Sequence, residues 1–286
     1  MAEKNKVIGG VLYLVGTPIG NLSDVSERAV KVLSEVDFIA AEDTRNSAKL
    51  LMALGIKKEL ISYHEHNKFS SGERICARLL SGESCALITD AGMPAISDPG
   101  EDMVVLCAEA GIPVSVVPGP CAAVSALALS ALSTKKFVFE GFLSANKGER
   151  RKRLSELSGE DRTMIFYEAP HKLRATLADM AEAFDSERRI SLCRELTKLN
   201  EEVLRTTLGE ACDYYSEKEP RGEYVLILEG GRKNAGSEGE ALSSLSPEEH
   251  IAHYTALGIS RMDAIKAAAK DRGISKSELY KAVNKD

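Results

Sequence analysis

Three stretches of this chain crowd together side chains that could do chemistry. In the first, Glu42, Asp43, Thr44 and Arg45 follow the apolar run VDFIAA, which places two acids and an arginine at the end of a strand, just ahead of a helix. A carboxylate at such a point can accept a proton or polarise a hydroxyl oxygen. The same residues can also close a helix end, with Asp43 or Thr44 as the cap and Arg45 paired at the surface. In the second, Tyr63-His64-Glu65-His66-Asn67 alternates rings with polar groups. His64, His66 and Asn67 would then suit stacking on an unpaired base and gripping its backbone, although two histidines alternating on a strand can also be solvated edge residues. The third runs from 147 to 153 and sets Lys147, Arg150, Arg151, Lys152 and Arg153 against the single acid Glu149. Such a concentration of cations favours phosphate contact, against the plainer reading of a solvated helix face.

A different kind of site is suggested by three places where an apolar run breaks into glycine and proline. YLVG passes into TPIGN, LITD into AGMPAISDPG, and VSVVPG into PCAAVSAL. In an open α/β sheet, ligands bind outside the carboxyl ends of the strands, where these three loops would gather. Glycine lets the backbone approach a ligand closely, and proline holds a loop open at no ordering cost on binding. Any one of them alone could be a tight connection. The dinucleotide pattern G-x-G-x-x-G and the phosphate loop G-x-x-x-x-G-K-[ST] are both missing, which favours a small nucleoside cofactor not held by phosphates.

The elements that would position these residues follow from the alternation of apolar runs. GVLYLVG, VDFIAAED, ISYHEH, CALITD and IPVSVVPG read as strands, with helices near Ser26–Ser34, Asn46–Leu54 and Asp102–Ala110. A second set comprises the strands KFVFEGF, TMIFYEAP, RISLCREL and EYVLILEG, which need not be parallel. Its helices are expected over Lys147–Leu157, Lys172–Phe184 and Leu208–Tyr215. The reading is two α/β domains, 1–133 and 134–229. A Gly- and Ser-rich linker follows over 230–245, then a helical module over 246–286. Three helix starts mark that module, each a serine followed three residues later by an acid: Ser246/Glu249, Ser260/Asp263 and Ser275/Glu278. Its last two helices are expected to bury Ile265, Ala268 and Ala269 against Ile274, Leu279 and Val283 in a helix-turn-helix-like pair.

At 286 residues with 44% hydrophobic and 28% charged side chains, the chain has the composition of a soluble globular protein. A net charge of -6 argues against a general nucleic-acid coat and leaves room only for local basic patches. Six cysteines without a C-x-x-C pair signal neither a zinc site nor a disulfide framework, and no metal is expected. The longest small-apolar run, CAAVSALALSAL, is too short to span a bilayer, and the N-terminal stretch lacks an apolar signal segment, so a cytoplasmic protein is expected.

The segments LVGTPIGNLSDVSERAVKVLSEVDFIAAEDTRNSAKLL, YHEHN, ITDAGMPAISDPG, VPGPCA, FEGFLSANKGERRKRL, YEAPHK, CRELTK and RGEYVLILEG together resemble the type I methyltransferases of small-subunit ribosomal RNA, within the tetrapyrrole methylase family. The resemblance covers nearly the whole chain. It implies S-adenosylmethionine folded between two α/β domains, a homodimer, and 2'-O-methylation of a cytidine in the decoding region of 16S rRNA. It places cofactor contacts at Pro18, Ile19, Gly92, Met93, Ala95, Ile96, Pro120, Cys121 and Ala122, with Tyr167, Leu196 and Gly222 added by the second domain. Cys121 stands where the family commonly has serine, and a thiol is the weaker hydrogen-bond donor. Glu42, Asp43, Arg45 and Lys198 are the candidates for the chemistry, while Glu168 and His171 could also approach the acceptor. The RNA would be held by His64, His66, Asn67, Lys147, Arg150, Arg151 and Arg153. Two rivals share the same body: a C-methyltransferase of a tetrapyrrole, and a non-catalytic RNA-binding assembly factor.

Overall fold

The computed structural model describes residues 6–231, 242, 245–272 and 274–283, the side chain of Lys270 excepted. These fall into two compact units, one built from residues up to Ser158 together with Arg162–Glu229, the other from Gly159–Asp161 and the residues from Gly230 onward. Most of the expected linker over 230–245 lies outside the described residues.

The first unit carries two five-stranded sheets. In the first sheet, β1 (Leu12–Val15), β2 (Phe38–Ala41), β3 (Glu59–Ser62), β4 (Cys85–Ile88) and β5 (Val114–Val117) lie in the order β3-β2-β4-β1-β5, and every pairing is parallel. Parallel strands are covered on both faces, which is why β2 and β4 read as unbroken apolar runs and are buried at every position. Their side chains divide by alternation. Phe38, Ala40, Cys85 and Leu87 face α3 (Lys68–Leu80) and α4 (Gly100–Glu109), while Ile39, Ala41, Ala86 and Ile88 face α1 (Glu27–Glu35) and α2 (Thr44–Ala53).

The second sheet has the order β6-β7-β10-β8-β9. Its strands are β6 (Phe137–Phe142), β7 (Thr163–Glu168), β8 (Arg189–Arg194), β9 (Glu202–Thr207) and β10 (Tyr224–Leu228). Only β6 and β7 are parallel, and the other pairings are antiparallel. One face is covered by α6 (Lys147–Glu156), α7 (Pro170–Phe184) and α8 (Leu208–Glu217). Against the other face α5 (Ala122–Leu129) packs Ala123, Ala126 and Leu127 onto Ile165, Cys193, Val225 and Ile227. The helix that leaves the last strand of the first sheet therefore closes on the second, and its small side chains allow the close approach.

In the second unit, α9 (Pro247–Ala256), α10 (Arg261–Asp271) and α11 (Lys276–Val283) follow the three serine starts. Ile265, Ala268 and Ala269 pack with Leu279 and Val283, as the apolar pattern requires. Ile274, expected in the same core, is exposed, and Ile251 and Tyr254 of α9 complete it instead.

The basic run occupies α6, but its arginines are committed to protein carboxylates. Arg150 is only 6% exposed. Its Nε donates to Asp179 Oδ2 at 2.8 Å, and Arg151 Nε donates to Asp179 Oδ1 at 2.7 Å. Arg153 forks onto Glu140 at 2.9 and 3.0 Å. These cations join α6 to α7 and β6: Arg150 is buried in that contact, whereas Arg151 and Arg153 keep 43% and 48% of their side chains exposed, and Lys147 and Lys152 are exposed. Burial opposes the charge of Asp179, yet the hydrogen bonds from Arg150 and Arg151 outweigh it and hold the carboxyl below its ordinary value of 3.8. Asp179→Asn should lower the unfolding free energy by about 3–5 kcal/mol, since it leaves Arg150 buried beside a neutral amide. A depressed carboxyl contributes stability that is complete above its unfolded pKa and is lost as pH falls through the folded one. Thermal denaturation should therefore show an acid limb beginning near pH 4 in the parent chain and a smaller one in the variant.

Candidate functional site

The strands β4, β1 and β5 are neighbours, so the loops that leave them meet. Beyond β1, Thr17 N–H donates to the Gly92 carbonyl at 2.9 Å and Gly92 N–H returns to Thr17 O at 3.2 Å. The buried Thr17 hydroxyl donates to Thr89 O at 3.1 Å. Gly92 has φ 92°, open to glycine at no cost. Gly16 and Gly119 bring the ends of β1 and β5 together so closely that a Cβ on Gly16 would lie 2.6 Å from Gly119 Cα and 2.8 Å from Met93 Sδ. The prolines and Asp98 stiffen the middle loop. Asp98 Oδ1 accepts from Ala95 N–H at 3.0 Å and Gly100 N–H at 2.8 Å, and Oδ2 accepts from Ile96 N–H at 3.2 Å.

These loops form one side of a cavity of about 450 Å³ whose other side comes from the second sheet. There the segment after β8 turns through Glu195 (φ 51°) and Thr197 (φ 64°) and sets Lys198 Nζ 2.9 Å from Glu195 Oε1 and 2.6 Å from Glu223 Oε2. Burial lowers the affinity of Lys198 for its proton, but hydrogen bonds from its ammonium to Glu223 and Glu195 outweigh this and hold it above its usual range. The same ammonium holds the Glu195 carboxyl down. Burial pushes the Tyr167 phenol up to about 12, so it stays neutral. The lining carries five carboxylates, from Glu42, Asp98, Glu168, Glu195 and Glu223, against the one ammonium of Lys198. A recess of bare backbone and apolar side chains with an acidic lining fits a nucleoside bearing a positive sulfonium and suits no phosphate.

Of the cofactor contacts expected, Ile19, Gly92, Met93, Ile96, Cys121, Ala122, Tyr167 and Leu196 line this cavity. Pro18, Ala95, Pro120 and Gly222 do not. Ala95 belongs to the Asp98 turn, the Pro120 carbonyl lies beneath Gly92, and Gly222 (φ 77°) leaves room for the Glu195 side chain. Cys121 is the cap residue of α5 without a side-chain cap bond. Glu42 and Lys198 line the cavity, whereas Asp43 and Arg45 do not. Asp43 caps α2, accepting from Arg45 N–H at 2.8 Å, and pairs at 3.1 Å with the guanidinium of Arg45, whose side chain is 87% exposed. The stretch Tyr63–Asn67 is a turn, because β3 ends at Ser62. Tyr63 is buried and donates to Pro99 O at 3.1 Å, and Asn67 ties the turn by accepting from His64 N–H at 2.8 Å. His64, His66 and Asn67 are not in the cavity wall. Thr89, Asp98, Phe142, Glu195 and Glu223 line it without having been singled out. Their signal was membership, since each lies inside one of the segments quoted for the resemblance. Among the described residues, no group of three or more His, Cys, Asp or Glu side chains is placed to hold a metal ion, and no helix is long and apolar enough to cross a membrane.

A two-sheet body with its ligand recess at the carboxyl ends of a parallel sheet defines a class, and residues 11–212 match the tetrapyrrole (corrin/porphyrin) methylases. The chain belongs to that family, whose members are methyltransferases that use S-adenosylmethionine. It is 49% identical over 271 residues to the ribosomal RNA small subunit methyltransferase I of Halalkalibacterium halodurans, covering 95% of this chain and 93% of that one. It is 46% identical over 283 residues to the protein of that name from Bacillus subtilis, covering 99% and 97%. Among solved structures, cobalt precorrin-4 methyltransferase aligns with a TM-score of 0.58 at 16% identity, over 77% of this chain and 95% of that one. Uroporphyrin-III C-methyltransferase from Thermus thermophilus aligns at 0.54 and 21%, over 77% and 94%. Those two likenesses concern the fold.

If the contact between Gly16 and Gly119 sets the recess, Gly16→Ala should cost roughly 1–3 kcal/mol of stability, as overpacking against unyielding backbone does. It should also weaken S-adenosylmethionine binding at least about tenfold by calorimetry, because 1.4 kcal/mol is a factor of ten.

Proposed function

We propose that this chain transfers the methyl group of S-adenosylmethionine to the 2'-hydroxyl of a cytidine ribose in the decoding region of 16S rRNA. The observation that carries the reading is the meeting, in one recess, of bare first-sheet loops with Glu42 and the Glu195–Lys198–Glu223 network. The bound cofactor supplies an electrophilic methyl group on a sulfonium. The loops around Gly92 and Gly119 aim it by shape, and alignment of donor and acceptor accounts for a large part of such an acceleration. Glu42 accepts the Thr89 hydroxyl on one oxygen at 2.7 Å, and its other oxygen takes the proton of the ribose hydroxyl. Lys198, held charged by its two glutamates, donates a hydrogen bond to the ribose oxygen as negative charge develops there. Asp43 and Arg45 act in this scheme by starting α2 and so fixing the strand end that carries Glu42.

The substrate class is supported by the names of relatives that align with nearly all of this chain, tail included. A tetrapyrrole acceptor is favoured by none of the observations on this recess. A homodimer is the reading for the apolar strip left by edge strand β5, where Val114 and Val116 are exposed near the exposed Val105 of α4. The cytoplasm is the compartment in which such a substrate would be met.

Incubation of the protein with labelled methyl donor and unmodified small-subunit particles should put label into an alkali-resistant dinucleotide, the mark of a blocked 2'-oxygen; label in a base, or none, overturns the reading. Glu42→Gln should lower kcat by about 10²–10⁴, the usual weight of a general base. Asp43→Ala should instead cost about 1 kcal/mol of stability as a lost helix cap and lower kcat far less than Glu42→Gln does.

A further inference from the structure

Phe142 ends β6 at the lip of the recess and is 58% exposed. It lines the cofactor cavity and also the neighbouring surface depression formed with Ala95, Ile96, Ser97 and Glu101. Its direction is built in. In the pairing of β6 with β7, Phe139 is opposite Ile165, Gly141 is opposite Phe166 and Phe142 is opposite Tyr167, which leaves Glu140 as an extra residue. A strand without that bulge would alternate Phe142 to the helix-covered face; the extra residue returns it to the face of Phe139, Ile165 and Tyr167, which looks into the recess.

The bulge is held from both sides. Glu140 is clamped through two hydrogen bonds by Arg153 of α6, and Gly141 takes φ 64°, where an added Cβ would meet Ser97 Oγ at 3.2 Å. Tyr167 meets both phenylalanines edge to face, Phe139 at 5.1 Å and Phe142 at 5.4 Å between ring centroids. Among the described residues, no ring stacks parallel on Phe142. An aromatic ring fixed at the mouth of an acidic recess, anchored at one edge and open to solvent, has the form of a stacking platform.

Resting on the function proposed above, we infer that Phe142 stacks on the base of the acceptor nucleotide and so sets its ribose against the recess. Unpaired bases in RNA are commonly held by stacking on aromatic rings. On this assignment the role of Arg153 toward RNA is indirect: it holds the bulge that aims the ring.

The test compares Phe142→Ala, Phe142→Leu and Phe142→Trp in the full-length protein, reading KM for small-subunit particles, the Kd of S-adenosylmethionine by calorimetry, and Tm. Phe142→Ala should raise the particle KM about tenfold, within the range measured for a lost base stack, and raise the cofactor Kd by a clearly smaller factor, since the ring also lines that cavity. Phe142→Leu, which keeps apolar bulk but has no π face, should share most of the defect even if the alanine variant is unstable. Phe142→Trp should recover affinity for particles. An unchanged KM in Phe142→Ala, parent-like behaviour of Phe142→Leu, or a cofactor Kd that rises in step with the loss overturns the assignment. A parent protein that transfers no methyl group to particles overturns the function itself, a result separable from failure of the variants alone.

Discussion

The close approach of two glycines at the ends of β1 and β5 is the constraint on which the recess depends. With no Cβ on either residue, Gly16 and Gly119 let two parallel strands deliver their loops to a single point, with Met93 Sδ accepting from Gly119 N–H at 3.2 Å. The third loop is then tied to the first by the paired Thr17 and Gly92 backbones. Apart from the Met93 sulfur these contacts are backbone to backbone, so side-chain mobility does little to relax them. The cavity wall is thus as stiff as the sheet beneath it, and a bound nucleoside has little loop ordering to offset.

The same site also concentrates backbone strain. Ala95 and Ser97 in one loop, and Glu195 and Thr197 in the facing one, take positive φ although they carry side chains. Each such residue costs roughly 1–2 kcal/mol relative to ordinary backbone. Local bonds offset that cost: the Asp98 carboxylate holds the first pair, and Glu195 N–H to the Glu223 carbonyl together with Thr197 N–H to Glu201 Oε2 holds the second. Alternating left-handed positions turn the chain sharply enough for neighbouring polar groups to point the same way, as Glu195 and Lys198 do in meeting each other. Strain of this kind, fixed by surrounding hydrogen bonds, collects where geometry matters more than stability.

How much of this was legible in the sequence depended on which force decided each element. Strands β1, β2 and β4 were plain because burial on both faces writes them as continuous apolar runs. The three serine-started helices of the tail were plain because capping is local. Strand β9 escaped notice because it lies at a sheet edge, with Leu204 and Val203 sent to opposite cores amid charged neighbours. Helix α3 escaped because its stripe of Ile75 and Leu79 is interrupted by polar and charged side chains. The partners of the basic run were hidden because one-dimensional charge counting does not show them. Asp179 lies some thirty residues downstream of Arg150 and Arg151, and only packing of α7 on α6 brings it between them. The bulge at Glu140 was likewise invisible, since an extra residue in a strand is defined by its neighbour and not by its own sequence.

The electrostatics of the recess constrain how any RNA can approach it. Five carboxylates around one ammonium make a pocket that draws in a cation and repels phosphate. A ribose can therefore enter only if its flanking phosphates remain outside, where water and salt screen them. That requirement favours a single nucleotide presented at the lip over a strand threaded through the cleft. At the lip itself the groups on offer are the phenyl ring of Phe142 and the exposed side chain of Ile96, neither of which carries charge. On the function and the Phe142 assignment proposed above, recognition at this mouth rests on the flat face of a base and on its ribose oxygen, the two parts of a nucleotide that carry no formal charge.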